Sequence, residues 1–506
     1  MRKSTSSSYN SILKYTGLLG GVQVFYVLMA VVRNKCTAAF IGILGMGLAD
    51  LYARTIELMG NATNLGIPFS AVRRLSELHD RGDRRATHHY VRLIRSWTLL
   101  TALLGAALCL LLSPLLSHLT MSDYRHTFHY ALLSPAVAFA TLAAGELAVL
   151  KGLRELKAMA ATSALTAFFT LIVTATLYGL LGLHGILPVL VLTAAITFLL
   201  NLRASTRLVP YRVSPFRRRL LRLGGHMVRL GGAYIVAGIF GSGVEMAVRT
   251  ALMRLGGAEA VGLYAAGFTL TVSYARILLV SMDADYFPRL SAAMHRPRLM
   301  NVTINRQIDV LVLLMVPFLI AFVLCLPLIV RLLYTSAFLP VVPMVVCAVS
   351  YMYFKAVFSP VAYLPLAAGH SATYMMMELA YDIPFVAFVV GGYLLGGLVG
   401  AGIGLSLSNL YNLALVVTVY ARRYGYRPDG ATWRRSLLQG LLLLGALVAV
   451  WQDNLLLCYG LGGALLLLSV GLSLHLLSRV TDLGNIMKRL TGRKKKIQEE
   501  VPDDRP

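Results

Sequence analysis

Runs of about twenty apolar residues alternate with short polar connections along nearly the whole chain. A helix of that length crosses the roughly 30 Å hydrocarbon layer of a bilayer. The pattern predicts about fourteen such spans, near 11–38, 46–71, 93–119, 128–150, 158–182, 185–206, 224–253, 260–286, 308–334, 340–366, 371–395, 397–420, 436–452 and 455–478. An all-α polytopic membrane protein follows, because irregular backbone left unbonded in lipid is too costly. Six spans precede an Arg-rich stretch and six follow it. The expected organisation is an N-terminal lobe (1–208), a basic connector (209–223), a C-terminal lobe (224–421), an extra helix pair (436–478) and a tail (479–506).

The polar positions inside these runs carry the information. Arg33, Lys35, Asp50, Arg54 and Glu57 lie within or beside the first two spans, and charges at bilayer depth cost roughly 2.5–3.5 kcal/mol each on insertion scales. Asp50, Arg54 and Glu57 follow an i, i+4, i+7 spacing that puts them on one helical face. The region has an echo downstream. Gly47-Leu48 recurs as Gly262-Leu263, and Arg74-Leu75-Ser76 as Arg289-Leu290-Ser291, both at one offset (262 − 47 = 215). A duplicated half explains this, and two halves that start on the same side of the membrane are related by an axis along its normal. Gly392, Gly396, Gly400 and Gly404 repeat every fourth residue, which is read as close helix packing, since no Gly-Lys-Ser/Thr follows to make a phosphate loop.

Composition agrees with the membrane reading. Charged residues are 14% of the chain, against about 25% in soluble domains, and mean hydropathy is +0.70. The net charge of +25 is concentrated in alternate connections: the amino terminus, 73–95, 151–157, 203–222, 289–306, 422–435 and the tail from Arg479. The opposite connections hold little beyond Arg125 and Arg254. This is the positive-inside pattern; it places both termini in the cytoplasm and makes anionic lipid, not nucleic acid, the partner of the basic loops. Residues 1–10 show no signal-peptide cleavage pattern. The five cysteines and scattered histidines lack the spacing of a disulfide framework or metal site. No nucleophile–base arrangement is legible, so the chain is read as a non-enzyme.

The intramembrane cations are Arg33, Arg54, Arg249, Arg276 and Lys355. Arg249 follows Glu245 by four residues, and Arg54 lies between Asp50 and Glu57, so both have acids at hand on their own helices. Arg33 and Lys35 are within reach of the headgroups by snorkelling. Arg276 and Lys355 have no acid within a turn. Glu378 and Asp382, at i and i+4 with Pro384 just beyond, are the best acids for a coupling H+ or Na+, or else partners of Lys355 or Arg276. Glu146 is expected beside Lys151 and Arg154, and Asp283, Asp285 and Asp309 beside Arg289 and Arg306. Tyr234, Tyr351, Tyr353, Tyr363 and Tyr381 lie in span interiors, suited to helix packing or to stacking on sugars.

Several local patterns come together. Arg33 is followed nine residues on by Gly42, then GMGLADLY. Span two closes as NLGIPFSAVRRLSE, span eight opens GLYAAGF and closes YFPRLSA, span nine leads to LPLIVRLLYTSAF, and span ten runs to LPLAAGH. Their order over residues 10–425 resembles the Wzx-type polysaccharide flippases, of the superfamily that also holds lipid II flippases and MATE multidrug exporters. The resemblance implies a MATE-like fold of two pseudo-symmetric six-helix lobes. It implies alternating-access transfer of an undecaprenyl-pyrophosphate-linked oligosaccharide across a bacterial inner membrane, with a polymerase or glycosyltransferases as partners. Arg33 matches the first-helix arginine of the lipid II flippases, and the extra helix pair resembles theirs. A pyrophosphate headgroup needs fixed cations to replace its water, and arginine grips phosphate bidentately without losing its proton. On that reading Arg276, Lys355, Arg33, Arg54 and Arg249 hold the headgroup, with Asp50, Glu57 and Glu245 as partner acids. No nucleotide-binding sequence is present, so an ion gradient or lipid exchange would supply the energy. The rivals are a lipid II flippase, a multidrug cation antiporter and a non-transporting scaffold.

Overall fold

A computed structural model describes residues 4–214, 218–273, 286–452 and 454–480. Arg276, Asp283, Asp285, Arg217 of the connector and the tail beyond residue 480 lie outside the described residues. What is described is helical, with no strand. The helices are α1 (Ser4–Thr63), α2 (Ile67–Asp80), α3 (Arg84–Leu111), α4 (Ser113–Met121), α5 (Thr127–Ala131), α6 (Ser134–Gly152), α7 (Leu156–Leu181), α8 (Ile186–Thr206) and α9 (Arg218–Phe268). Then come α10 (Pro297–Leu324), α11 (Leu326–Leu333), α12 (Val342–Ala348), α13 (Ser350–Ala362), α14 (Leu364–Ala367), α15 (Ser371–Tyr424), α16 (Gly430–Val450) and α17 (Leu455–Val480).

Among the described residues, nine helical stretches are long and apolar enough to cross a membrane, or ten if one bent pair counts as a span. That is fewer than fourteen; four of the nine stretches contain a glycine at which the helix is interrupted. Helix α1 has a non-helical residue at Gly42, α9 at Gly257, and α15 at Gly396 and Gly397; Gly182 separates α7 from α8. At the α15 break the chain reverses. Gly400 packs against the carbonyl of Gly392 and Gly404 against that of Phe388. In an unbroken helix residues sixteen apart would be about 24 Å apart at 1.5 Å per residue. The glycine ladder is therefore a helix-packing device, since a Cβ on Gly392, Gly400 or Gly404 would collide with backbone.

The breaks also reveal the duplication at backbone level. Gly42 (φ 63, ψ −166) and Gly257 (φ 73, ψ −173) share an almost Gly-only conformation and are 215 positions apart. Gly182 (φ 53, ψ −128) and Gly397 (φ 56, ψ −140) have the same separation. So do Arg154 and Gly369, both at positive φ before a helix. The echoed pair Gly47 and Gly262 turn out to touch: a Cβ on Gly47 would meet the carbonyl of Ala258 and the Gly262 nitrogen, and one on Gly262 the carbonyl of Ile43 and the Gly47 nitrogen.

Two compact units are present. The first comprises Met1–Phe268, Leu328–Met344 and Met375–Gly404; the second comprises Thr269–Pro327, Val345–Tyr374 and Leu405–Pro506. One core of the first unit gathers Ile41, Tyr52, Met59, Tyr130, Val137 and Tyr178. Another seats the amphipathic α2, whose Ile67, Ala71 and Leu75 pack on Ile94, Trp97 and Val149. Its opposite face carries Arg73, Arg74 and Glu77; the hydrogen bond from Arg74 holds the Glu77 carboxyl below its ordinary range. In the second unit α10 is buried along much of its length and packs on α13, α16 and α17. Gln439 of α16 binds α17 through Ser473 Oγ (2.9 Å) and Ser469 Oγ (2.6 Å). Interhelical polar contacts of this kind hold helices together where lipid offers no hydrophobic drive.

Candidate functional site

The polar stripe of α1 meets α9 in the first unit. Arg249 is 1% exposed, and its Nε donates to Asp50 Oδ2 while a terminal nitrogen donates to Glu245 Oε2. The rings of Tyr264 and Phe268 each lie 5.5 Å from its guanidinium carbon. Arg54 approaches Asp50 at 3.7 Å and Glu57 at 2.8 Å. The result is a continuous chain, Glu57–Arg54–Asp50–Arg249–Glu245. Its two guanidiniums are already engaged, Arg249 wholly inside protein and Arg54 partly exposed. Loss of the buried Arg249 would leave Glu245 without its ion-pair partner and Asp50 with Arg54 alone.

Asp382, buried on the first arm of α15, has Glu378 and Glu245 as its electrostatic neighbours. Within the first unit no described cation pairs with Glu378 or Asp382. Among the described residues of the first unit, Arg54 and Arg249 are the cations paired with Asp50, Glu57 and Glu245, while Glu378 and Asp382 have no ion pair. Among the described residues no group of three His, Cys, Asp or Glu is arranged to hold a metal ion.

Two of the expected headgroup cations are differently placed. Arg33 is half-buried beside a small gap lined by Tyr26, Met29, Ala167 and Thr170, and its guanidinium makes no ion pair with a described residue. Lys355 of α13, in the second unit, is half-buried with its Nζ 5.5 Å from the Tyr351 ring centre and no ion pair within that unit. Lys35 does not snorkel. It donates to the carbonyls of Arg331 (2.6 Å) and Tyr334, capping the end of α11. Tyr353 donates to the carbonyl of Ser436 at 2.7 Å, a packing role that leaves its hydroxyl unavailable to sugar.

Two expected partnerships are corrected. Glu146 pairs with neither Lys151 nor Arg154. It accepts from Arg95 (2.9 Å), which is 3% exposed and also donates to the carbonyls of Val209 and Pro210 and to Ser205. Arg154, at the left-handed turn after α6, reaches Asp80 instead at 2.6 Å. Burial pushes the Tyr211 phenol up, Glu146 adding to it and Arg95, 5.0 Å from the ring, opposing. Asp309 pairs with Arg435 (2.6 Å) and Thr432, not with Arg289 or Arg306; Arg289 binds Gln307. Both errors share a cause. Sequence distance favours neighbours on the same or the next helix, whereas helix packing supplied partners 51 and 126 residues away.

Comparison with known proteins agrees with this architecture. Residues 12–294 match the family described as polysaccharide biosynthesis protein. Among curated proteins none matches the chain. The lipid II flippase MurJ in an inward closed conformation aligns with a TM-score of 0.65 at 14% identity, covering 89% of this chain and 97% of that one. An inward-facing MATE family multidrug transporter of the MOP superfamily aligns with a TM-score of 0.64 at 14% identity, covering 79% and 94%. A MOP superfamily transporter from Pyrococcus furiosus aligns with a TM-score of 0.54 at 13% identity, covering 81% and 93%. At these identities the likeness establishes the fold, while the match across more than half the sequence establishes the family. With its all-helical fold, its glycine-broken duplicated halves and its motif order, the chain belongs to the polysaccharide biosynthesis protein family, the Wzx-type flippases.

Proposed function

We propose that this protein moves an undecaprenyl-pyrophosphate-linked oligosaccharide across the bacterial cytoplasmic membrane, for an O-antigen-like or capsule-like polysaccharide. The family match over residues 12–294 is the observation that carries the reading. Two six-helix lobes, 1–208 and 224–421, would alternate access to a shared path, with both termini, the basic connector and the tail in the cytoplasm. Arg33 and Lys355, which make no ion pair with a described residue of their own unit, are the headgroup ligands the geometry favours; Arg276, outside the described residues, joins them on its sequence position alone. Arg249 would serve chiefly to join α9 to α1 through Asp50, and Arg54 to hold Asp50 and Glu57 along α1, since carboxylates already occupy both. Glu378 and Asp382 would take the H+ or Na+ whose gradient drives transport. Membrane lipids surround the protein, and a polymerase or glycosyltransferase would supply or receive the glycan.

The test is reconstitution of the chain into vesicles containing undecaprenyl-pyrophosphoryl oligosaccharide, with lipid reorientation read by access of a glycan-modifying enzyme added outside. Arg33→Ala, Arg276→Ala and Lys355→Ala should each slow reorientation at least tenfold while protein incorporation is unchanged. Wild-type rates in all three would remove the headgroup site.

Two observations favour rivals within the same fold. The extra helix pair at 436–478, which resembles that of the lipid II flippases, favours lipid II as cargo. The acid surplus around Asp382 favours a cationic cargo. Restored growth of cells depleted of their lipid II flippase would support the first, and drug efflux from a sensitised strain the second.

A further inference from the structure

Where the basic connections 289–306 and 422–435 meet in the second unit, a cavity of about 700 Å³ opens between the first turns of α10 and α16. Arg298, Arg306, Arg427, Arg435, Asp309 and Asp429 line it. Its two acids are committed. Asp309 accepts from Arg435 (2.6 Å), and Asp429 caps α16 by accepting from the Thr432 amide (3.3 Å). The turn that carries Arg427 is fixed, since Asn301 accepts from the Arg427 amide (2.7 Å) and Asn305 donates to its carbonyl (3.2 Å). Arg298, Arg306 and Arg427 are exposed, and their guanidiniums make no ion pair or hydrogen bond with a described residue. Three cations without an acid thus share one opening.

The chain leaves α17 beside this opening. Gln439 of α16 binds Ser469 and Ser473 of α17, which sets the register of the two antiparallel helices. Thr432, on the cavity wall, is seven residues before Gln439, and Val480, the last residue of α17, is seven after Ser473. Both steps are about 10 Å at 1.5 Å per residue, so Val480 is close to level with Thr432. Packed helices lie about 8–10 Å apart, which puts the start of the tail one helix spacing from the cavity wall. The sequence beyond carries both signs of charge. Arg493, Lys494, Lys495 and Lys496 suit anionic lipid, as the other basic connections do. The stretch 497–504 holds Glu499, Glu500, Asp503 and Asp504 and no base, so the same lipid would repel it. Glu499 follows Val480 by 19 residues, a reach of up to about 60 Å when extended. We propose that Glu499, Glu500, Asp503 and Asp504 dock in this cavity of their own chain, with their carboxylates on Arg298, Arg306 and Arg427. Exposed pairs of this kind are individually weak, but acids tethered beside the arginines act at high effective concentration. The inference is independent of the transport reading, because docking is measured without turnover.

The test places Val302→Cys, at an exposed position of the cavity wall, and Val501→Cys, between the two acidic pairs, in a cysteine-free version of the full chain. The protein is reconstituted in nanodiscs of phosphatidylethanolamine, and disulfide formation under copper phenanthroline is followed by mass spectrometry. An intramolecular disulfide should form at least tenfold faster than in either of two neutralised variants, Arg306→Gln/Arg427→Gln and Glu499→Gln/Glu500→Gln/Asp503→Asn/Asp504→Asn. The second leaves every described helix unaltered, so its effect does not pass through the bundle. Exchanging the charges, Arg306→Glu/Arg427→Glu with Glu499→Arg/Glu500→Arg, should restore the rate. A rate unchanged in either neutralised variant, or a disulfide that joins two chains, would overturn the proposal. So would loss of the intramolecular product when phosphatidylglycerol replaces part of the phosphatidylethanolamine, an outcome that assigns the arginines to lipid.

Discussion

Buried arginine chemistry divides the cations of this protein into two kinds. Arg95 and Arg249 are shut inside protein with carboxylates on them; removing Arg95 leaves the buried Glu146 without its ion-pair partner, a change that costs roughly 3–5 kcal/mol. Arg95→Ala should therefore lower the midpoint of thermal unfolding markedly. The double change Arg95→Met/Glu146→Leu, which replaces the pair with apolar volume, should recover most of the loss. A double variant as unstable as the single would show that the bonds to Val209, Pro210 and Ser205 matter more than the charge pair. Arg33 is the contrasting case. With no acid on it, Arg33→Ala should leave unfolding unchanged to within about 0.5 kcal/mol, while glycan export falls. Quantifying surface polysaccharide and membrane-embedded protein in the same cells separates the two effects. The charge stripe of Asp50, Arg54 and Glu57 was legible from spacing alone. Arg95 was not: it sits where an apolar run gives way to a basic connection, and only the packing of α3 on α6 brings it to Glu146.

Glycine sets the behaviour of whole elements. The conformations of Gly42 and Gly257 are nearly closed to residues with a Cβ, although the space around both is open. Gly42→Ala and Gly257→Ala should each cost about 1–3 kcal/mol, and by similar amounts, because the two breaks have the same geometry. Gly47→Ala and Gly262→Ala fail for another reason, a collision with the facing backbone, and neither should be rescued by trimming neighbouring side chains. Unfolding monitored by fluorescence in detergent would check both pairs; a tolerated Gly262→Ala would refute the close approach. The extra pair is held differently. Gln439→Leu removes its bonds to Ser469 and Ser473 and should weaken α16 against α17 by about 0.6–1.7 kcal/mol, seen as faster proteolysis of the carboxy-terminal pair.

For the whole molecule, topology is the property that follows from charge distribution. Single cysteines placed at Arg212, Arg427 and Ser478 in a cysteine-free background should react with an impermeant maleimide only after the cytoplasmic face is opened. Cysteines at Ser122 and Asn454 should react in intact spheroplasts. Labelling of Asn454 from the cytoplasmic side would mean that the extra pair does not form two crossings. Further single cysteines beside Gly42, Gly182, Gly257 and Gly397 in the same background decide whether the nine or ten apolar stretches of the described residues make fourteen spans, since the sidedness of each break is then read.

Class, helical spans, duplication and family were all written in the linear chain, because bilayer thickness and the cost of charge in hydrocarbon leave a periodic record there. Which of the acids and cations meet depended on how the helices pack. Arg249 is claimed by Asp50 from 199 residues away, Glu146 by Arg95, and Asp309 by Arg435, while Arg33 keeps no carboxylate among the described residues. A charge in a low-dielectric interior takes whichever opposite charge the packing of helices brings within reach, and that proximity is a property of the fold rather than of spacing along the chain.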